Sequence, residues 1–204
     1  MDNIVLFTQR VEIVESYNER RDCADQRIAK FIRACGFLPV PISNNKELAL
    51  ELVLALQPSG IILTGGNSLV KYGGNAPERD DMDRALIDQA VNRRIPLYGF
   101  CRGMQSILHY FGNDLEQVEG HVAVKHKING KENEIEVNSY HNQGCTELSS
   151  TELEVVMRSG DGVIEKIIHK ESPILGTMWH PERENPFKEL DICMVKKLFG
   201  GKSK

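Results

Sequence analysis

One cysteine in this chain stands where its thiol could act as a nucleophile. Cys101 lies between Gly99 and Gly103, directly after the apolar run at 95–98 and directly before a helical pattern. A nucleophile on a sharp turn between a strand and a helix is exposed, and small residues beside it let the two elements pack closely. The helix N-terminus supplies free N–H groups and partial positive charge, which favour the thiolate. We therefore predict that Cys101 is a reactive nucleophile.

A histidine and a carboxylate far downstream have the types and spacing needed to assist such a thiol. In Trp179-His180-Pro181-Glu182, the proline favours an extended conformation for His180, so that His180 and Glu182 project to the same side of the chain. We predict that His180 accepts the thiol proton and that Glu182 fixes the imidazole tautomer. Taken alone, a His-Pro-Glu segment indicates an ordinary histidine and a solvated carboxylate. It is the cysteine turn that favours a catalytic triad.

Backbone donors for a developing oxyanion are also predicted. The apolar segment at 60–63 runs into Thr64-Gly65-Gly66-Asn67, so that a strand ends in paired glycines. A turn of this kind can point the N–H of Gly66 at an oxyanion, and the N–H of Arg102, next to the nucleophile, is the second donor. Without Cys101, the same segment would indicate no more than a tight turn.

Together these motifs resemble the class I glutamine amidotransferases, and more closely the γ-glutamyl hydrolase branch of that superfamily. The segment 99–105 is similar to the family's Gly-x-Cys-x-Gly-x-Gln, and 180–182 matches its His-Pro-Glu. The segment 137–143 resembles the stretch that holds the glutamyl amino and carboxylate groups, and 158–165 resembles the hairpin that follows it. The resemblance extends over about residues 6–186, with the motifs in the expected order.

The resemblance implies a mechanism and a set of substrate contacts. Cys101 would attack a γ-glutamyl carbonyl to form a thioester, and water activated by His180 would hydrolyse that thioester to glutamate. The residues that would hold the γ-glutamyl substrate are Gly65, Asn67, Gln105, Ser139, Tyr140 and His141. For Gln105 and Ser139 the alternative is structural support of the cysteine turn.

Within this branch the chain is similar to the γ-glutamyl-CDP-amidate hydrolases of bacterial capsular phosphoramidate synthesis, which release glutamate and cytidine diphosphoramidate. That resemblance implies a substrate with a cytidine nucleotide, and we expect Arg10, Arg20 and Arg21 to bind its diphosphate. The alternative is that these arginines are solvated charges. The loop at 67–77 is shorter than in larger γ-glutamyl hydrolases and the segment at 9–22 differs from that branch, so pocket shape does not carry over.

Other functions fit the same triad. The chain could be a glutaminase subunit that delivers ammonia to a separate synthetase, a hydrolase of other γ-glutamyl amines, or a binding module that has lost catalysis. The glutaminase would require a synthetase partner, whereas the favoured hydrolase would not. All three residue types of the triad are present, which argues against the binding module.

Composition restricts the function further. The 204 residues, 41% of them hydrophobic, suffice for one substantial core, and we expect a single domain over residues 1–204. A formal net charge of −4 offers no broad basic surface for nucleic acid, which favours a small-molecule substrate. The apolar run near the N-terminus is too short for a signal sequence or a membrane span, so we expect a cytoplasmic protein without a membrane partner.

The remaining thiols and candidate ligands are expected to play no part in chemistry. Five cysteines are scattered without a Cys-x-x-Cys pair, which is typical of free thiols in a reduced compartment. His121 and His126 suggest a metal site, but no cysteine or carboxylate cluster stands at ligand spacing beside them. We therefore predict no metal and no cofactor.

The order of the elements explains how these residues meet. In the first half, strand and helix patterns alternate, with strands at 4–7, 37–42, 61–63 and 96–100 and helices that end at 34 or cover 46–56 and 80–92. The second half carries β-patterns at 135–137, 153–158, 163–169 and 174–179, with a hairpin signal at Asp161-Gly162, and then a helix at 188–199.

This order predicts an α/β fold. We expect an open, mainly parallel sheet with helices on both faces, plus a β-rich C-terminal part, as in flavodoxin-like amidotransferase domains. Ligands of such sheets bind at the carboxyl ends of the parallel strands. Gly65, Gly66 and Cys101 all follow strands, so they should converge on one edge.

Overall fold

The chain folds into a mixed β-sheet flanked by helices. The computed structural model describes residues 3–131 and 133–200. Within these residues the helices are α1 (Gln26–Ala34), α2 (Lys46–Leu56), α3 (Pro77–Arg93), α4 (Arg102–Tyr110) and α5 (Glu189–Phe199). No helix in this part of the chain is long and apolar enough to cross a membrane. The strands are β1 (Ile4–Phe7), β2 (Arg10–Val14), β3 (Glu19–Cys23), β4 (Leu38–Pro41), β5 (Gly60–Leu63), β6 (Leu97–Phe100), β7 (Glu116–Gln117), β8 (Val122–Asn129), β9 (Glu134–Tyr140), β10 (Gln143–Gly144), β11 (Leu153–Ser159), β12 (Ile164–His169) and β13 (Ile174–Thr177).

The first part of the main sheet is parallel. Its strands run in the order β4, β1, β5, β6 and β13, each parallel to its neighbour. β1, β5 and β6 are short, wholly buried apolar runs because helices cover both of their faces. Leu6 and Leu63 contribute to a core with α2, α3 and α4, whereas Val5 and Ile62 contribute to a second core with α1 and α5. The predicted α/β fold with helices on both faces is confirmed.

The second part of the main sheet is antiparallel. After β13 the order continues as β12, β11, β8 and β9, and Asp161-Gly162 lies in the turn between β11 and β12, as the sequence predicted. Strand β8 was not predicted. Its side chains are mostly exposed and Ile128 is its buried residue, so its sequence lacks the alternation of a half-buried strand.

The stretch between β1 and α1 was only partly predicted. Helix α1 ends at Ala34 as expected, but it begins only at Gln26, where the Asp25 side chain caps the helix by accepting a backbone N–H. The preceding residues form an antiparallel ribbon of β2 and β3. Most side chains of this ribbon are exposed, so no apolar period indicated it.

The parallel strands end side by side at one edge of the sheet. β1, β5, β6 and β13 end at Phe7, Leu63, Phe100 and Thr177. The residues that follow these strands therefore meet at this edge. They include the paired glycines, the cysteine turn and the His-Pro-Glu segment.

Candidate active site

Cys101 occupies a strained turn between β6 and α4. Its φ of 52° and ψ of −112° lie outside the regions that residues with a Cβ normally adopt. The Cys101 N–H donates to the carbonyl oxygen of Thr177 on β13 over 2.8 Å. A Cβ on Gly103 would stand 2.1 Å from the carbonyl oxygen of Leu63, so glycine is what lets α4 approach β5 this closely. The predicted exposure of the nucleophile is wrong, because Cys101 is buried; the turn places it at the sheet edge, where it borders a cavity.

His180 and Glu182 lie beside the cysteine turn and are hydrogen-bonded to each other. The Nδ1–H of His180 donates to Glu182 Oε1 over 2.7 Å, and both side chains are buried. This bond fixes the tautomer, so that Nε2 is available to the thiol. Burial alone would lower the pKa of His180, but the charge and hydrogen bond of Cys101, and then those of Glu182, outweigh burial and raise the pKa to about 9. The arrangement favours a protonated imidazole beside Cys101 at neutral pH.

We call the loop at 64–67, which follows β5, the glycine loop. Within it, Gly65 contacts both the His-Pro-Glu segment and the cysteine turn. A Cβ at this position would stand 2.7 Å from His180 Cε1 and 3.5 Å from Cys101 Cβ. The loop therefore packs directly against both the imidazole and the nucleophile. Any side chain at Gly65 would displace the His180 ring.

The N–H groups of Gly66 and Arg102 are the predicted oxyanion donors. Gly66 has a φ of +89°, and Arg102 is the first residue of α4, so its N–H has no acceptor within the helix. Neither N–H donates to a backbone carbonyl within the described ranges. The Arg102 side chain is buried in ion pairs with Asp80 and Asp83 of α3, which anchor the first turn of α4.

Arg79 holds the glycine loop, a role that no sequence pattern indicated. Its guanidinium is fully buried and donates to the carbonyl oxygens of Thr64 (2.7 Å), Gly65 (3.0 Å) and Gly66. Burial, together with the charge of Arg102, lowers the pKa of this guanidinium to about 9, so it stays charged at neutral pH. The Gly65 carbonyl and the Gly66 N–H belong to one peptide group. Arg79 therefore both orients and polarises the predicted oxyanion donor.

Asn138 holds the backbone of His180, and this residue was also missed. Its Oδ1 accepts the His180 N–H and its Nδ2 donates to the His180 carbonyl, both over 2.9 Å. The imidazole ring makes edge contacts with Phe100 and Tyr140, at centroid distances of 5.6 and 5.7 Å. The backbone and the ring of the proposed base are thus both fixed.

A cavity of about 230 Å³ opens beside Cys101, and we call it the cysteine cavity. Four of the six residues predicted to hold the γ-glutamyl group border it, namely Asn67, Gln105, Tyr140 and His141, together with Gly66, Cys101 and His180, whereas Gly65 does not. The Gln105 amide donates to the Gln143 carbonyl over 3.0 Å, so it also supports the cavity wall. Ser139 lies behind that wall, where its buried hydroxyl donates to the His121 carbonyl over 2.7 Å.

A second cavity, of about 250 Å³, lies between the glycine loop, the β2–β3 ribbon and the start of α1, and we call it the ribbon cavity. Gly66, His180 and Arg183 border both cavities, so the His180 side chain lies between them. Arg10 borders the ribbon cavity, passes over Gly66, and forms an ion pair with Glu12.

The other two predicted arginines border neither cavity. Arg20 donates from Nε to Glu78 over 2.8 Å, and Arg21 donates to Glu19 and Tyr17, each over 2.6 Å. These partners hold both guanidinium groups away from the two cavities, with Arg20 bonded to Glu78 of α3. The structure therefore brings one of the three arginines to the site.

Asn67 joins the glycine loop to the ribbon. It has a φ of +58°, a region in which asparagine is enriched among residues other than glycine. Its Oδ1 accepts the Val11 N–H and its Nδ2 donates to the Val11 carbonyl, both over 2.9 Å. Because both polar groups of its side chain are bonded in this way, Asn67 fixes β2 beside the site.

Known proteins resemble the chain over most of its length. A family model described as "Glutamine amidotransferase class-I" matches residues 21–190. The chain is 33% identical to the γ-glutamyl-CDP-amidate hydrolase of Campylobacter jejuni, over 91% of this chain and 93% of that protein. It is 30% identical to a γ-glutamyl-γ-aminobutyrate hydrolase of Escherichia coli O157:H7, over 98% and 94%. A solved structure from Thermoplasma acidophilum has the same fold, with a TM-score of 0.75 and 19% identity over 98% of this chain and 94% of the other.

Proposed function

The chain belongs to the class I glutamine amidotransferase family, and on that premise we propose that it is a stand-alone γ-glutamyl amide hydrolase whose substrate is γ-glutamyl-CDP-amidate. The products are glutamate and cytidine diphosphoramidate. The observation that carries the proposal is that His180 borders both cavities, while Cys101 borders the cysteine cavity beside it. The Campylobacter relative is named for this substrate and the Escherichia relative for a different γ-glutamyl amide, which supports the reaction more strongly than the leaving group.

Acylation uses the triad and the two backbone donors. The Cys101 thiolate attacks the γ-carbonyl carbon of the substrate bound in the cysteine cavity, and the N–H groups of Gly66 and Arg102 hold the oxyanion. The protonated His180 delivers its Nε2 proton to the leaving nitrogen, the C–N bond breaks, and a γ-glutamyl thioester remains on Cys101. The Nδ1 bond to Glu182 stabilises the imidazolium until this transfer.

Deacylation reverses the role of the histidine. Neutral His180 removes a proton from a water molecule as the water attacks the thioester carbonyl, and the same two N–H groups hold the second oxyanion. Collapse of this intermediate expels the Cys101 thiolate and releases glutamate. His180 is again protonated, so the pair returns to its starting state.

The ribbon cavity supports a leaving group larger than ammonia. With the glutamyl group in the cysteine cavity, the leaving nitrogen faces the other side of His180, where the ribbon cavity of about 250 Å³ begins. A glutaminase would need no such space. Arg10 and Arg183 border the ribbon cavity and offer two guanidinium groups to a diphosphate.

A substitution at Arg10 tests this orientation of the substrate. Because a hydrogen bond to a charged group contributes about 1.5–3 kcal/mol, Arg10→Gln should raise KM for γ-glutamyl-CDP-amidate by about 10-fold or more. It should leave turnover of γ-glutamyl-γ-aminobutyrate within about twofold, since that substrate has no diphosphate. Arg20→Gln removes the same charge from the same ribbon and is the matched control. An equal loss on both substrates would contradict a diphosphate contact of Arg10.

The proposed function is tested by glutamate release from γ-glutamyl-CDP-amidate, γ-glutamyl-γ-aminobutyrate and glutamine. We expect kcat/KM to favour the nucleotide substrate by about 10² or more, because a site built to bond polar groups discriminates strongly. Cys101→Ala should abolish release, whereas Cys193→Ala, at an exposed cysteine of α5, should not. Preference for the γ-aminobutyrate substrate would overturn the nucleotide assignment and leave the hydrolase. Activity on glutamine only after addition of a synthetase would favour the glutaminase subunit.

A further inference from the structure

A buried cluster of histidines surrounds a glutamate outside the triad. We call His121, His126, His141 and Glu165 the histidine cluster. His121 precedes β8, His126 lies within it, His141 follows β9, and Glu165 lies on β12. Glu165 is completely buried, and His121 and His141 are 2% and 3% exposed. The proposed reaction uses none of these four side chains for chemistry.

The cluster converges on one oxygen without forming hydrogen bonds to it. Glu165 Oε1 lies 3.3 Å from His121 Nδ1, 3.3 Å from His141 Nε2 and 3.4 Å from His126 Nε2. These three nitrogens and both Glu165 oxygens have no hydrogen-bond partner among the described residues. Buried polar atoms without a partner are rare because each carries a desolvation cost. Here they are all directed at the same small volume.

The other nitrogen of each buried ring is already bonded. His121 Nε2 lies 2.9 Å from Asp161 Oδ2, and His141 Nδ1 lies 3.1 Å from the Gln143 carbonyl. Both acceptors require a proton on the nitrogen that faces them. A neutral ring then presents a bare lone pair to the inside of the cluster. Metal-binding histidines are held in this way, with the second ring N–H donated to a carboxylate or a backbone carbonyl.

We propose that His121, His141 and Glu165 bind one divalent transition-metal ion and that the ion is Zn²⁺. The ligand atoms of these three residues all lie within 4.8 Å of one another. Ligands about 2.0–2.1 Å from a tetrahedral zinc ion stand about 3.3–3.4 Å apart, and Glu165 Oε1 lies 3.3 Å from both His121 Nδ1 and His141 Nε2. Imidazole nitrogen and carboxylate oxygen are both ligands of zinc.

Hydrogen bonds from protonated histidines to Glu165 explain the 3.3–3.4 Å spacing less well than a metal ion does. Imidazolium groups that donated to a carboxylate would approach to about 2.7–2.9 Å with the N–H directed at the oxygen. The three nitrogens of the cluster stand further out and miss that geometry. A metal ion bonded to His121 Nδ1, His141 Nε2 and one Glu165 oxygen satisfies three of the five unpartnered atoms of the cluster.

The ion would hold the wall of the cysteine cavity. His141 borders that cavity, and its backbone N–H and the Ser139 hydroxyl both donate to the His121 carbonyl. Glu165 belongs to β12, in the main sheet. A metal bond between these segments fastens the 139–143 wall to the sheet, so the role of the ion is to position the substrate and not to take part in the reaction.

Metal titration of the full-length protein tests this proposal. Protein purified without a metal-affinity tag is treated with a chelator and then titrated with Zn²⁺ against a chromophoric competitor, and with Co²⁺ by visible absorption. We expect one equivalent of Zn²⁺ with a Kd below about 1 μM, and a strong d–d band typical of tetrahedral Co²⁺. Zn²⁺ should also raise the melting temperature.

Variants separate this site from adventitious binding. Glu165→Gln should weaken Zn²⁺ binding by about 100-fold or more, and Asp161→Asn, which reaches the cluster only through the second nitrogen of His121, by about 10–100-fold. His109→Gln removes an exposed histidine of α4 and should bind as the wild type does. If Glu165→Gln does not fold, the proposal is tested by the wild-type titration and by the loss of Zn²⁺ affinity in Asp161→Asn. A wild-type protein that gives no cobalt band and binds Zn²⁺ no more tightly than Glu165→Gln would overturn the proposal and leave a proton-linked network.

Discussion

Replacing Arg79 tests whether the oxyanion donor depends on a side chain that borders neither cavity. The guanidinium donates to three consecutive carbonyl oxygens, those of Thr64, Gly65 and Gly66. Arg79→Lys keeps the positive charge, but its single ammonium cannot reproduce the planar fork that spans three carbonyls. The Gly66 N–H would then lose its fixed direction.

The expected loss follows from the two donors of the site. Removal of one oxyanion donor costs about 10²–10³ in rate, or about 2.7–4 kcal/mol. The Arg102 N–H is held separately by α4 and stays in place, so kcat for glutamate release should fall by about 10²-fold. In the proposed substrate orientation the glutamyl group binds in the cysteine cavity, which Arg79 does not border, so KM should change by less than about threefold.

The assay is steady-state glutamate release, with the melting temperature measured on the same samples. Bonds from a charged donor contribute about 1.5–3 kcal/mol each, so the melting temperature distinguishes a loosened loop from an unfolded chain. Arg84→Lys, at an exposed position of α3, is the matched control and should keep wild-type kinetics. A folded Arg79→Lys protein with wild-type kcat would refute the reasoning, and so would a loss carried by KM alone.

Three further predictions concern the triad and its supports. Since the pKa of His180 is raised to about 9, kcat/KM should fall as the pH rises through that value. Glu182→Gln lacks the charge that helps to raise the His180 pKa, so in this variant the alkaline fall of kcat/KM should occur at lower pH. An alkaline limb at the same pH in both proteins would contradict the assignment of this limb to His180. Gly103→Ala places a methyl group 2.1 Å from the Leu63 carbonyl and should lower stability by about 1–3 kcal/mol, seen as a fall in melting temperature, whereas an unchanged temperature would mean that the contact relaxes freely. Asn138→Ala frees the His180 backbone and should slow thioester formation, measured by rapid quench, by about 10-fold or more; a wild-type rate would show that the ring contacts alone hold the base.

The sequence predicted those parts of the site that depend on residue patterns within short stretches of the chain. The cysteine turn needs a strand, a turn and a helix in succession, and each of the three has a recognisable residue pattern within about ten residues. The parallel strands were found because burial on both faces requires unbroken apolar runs. Their shared edge then follows from the topology of α/β sheets, which is why three distant motifs could be expected to meet.

The residues that the sequence did not indicate act through contacts between distant segments. Arg79 binds backbone carbonyls, so no complementary side chain in the sequence points to it, and a single arginine in a helix pattern predicts a solvated charge. In the sequence, the histidines near β8 have no carboxylate at ligand spacing. Glu165 comes next to them only in the folded sheet, to which β8 and β12 both belong. The ribbon that carries Arg10 was missed because its side chains are mostly exposed.

The strain at Cys101 persists because both sides of the turn are anchored independently. A residue held in a sparsely populated backbone conformation costs about 1–3 kcal/mol, which the surrounding structure must offset. On one side, β6 pairs with β13 and the Cys101 N–H is bonded to Thr177. On the other side, the buried Arg102 ties the first turn of α4 to Asp80 and Asp83. Neither anchor lets the turn relax alone, so the thiol stays directed at the cavity, and the Arg102 side chain serves the reaction by fixing the position of its own N–H.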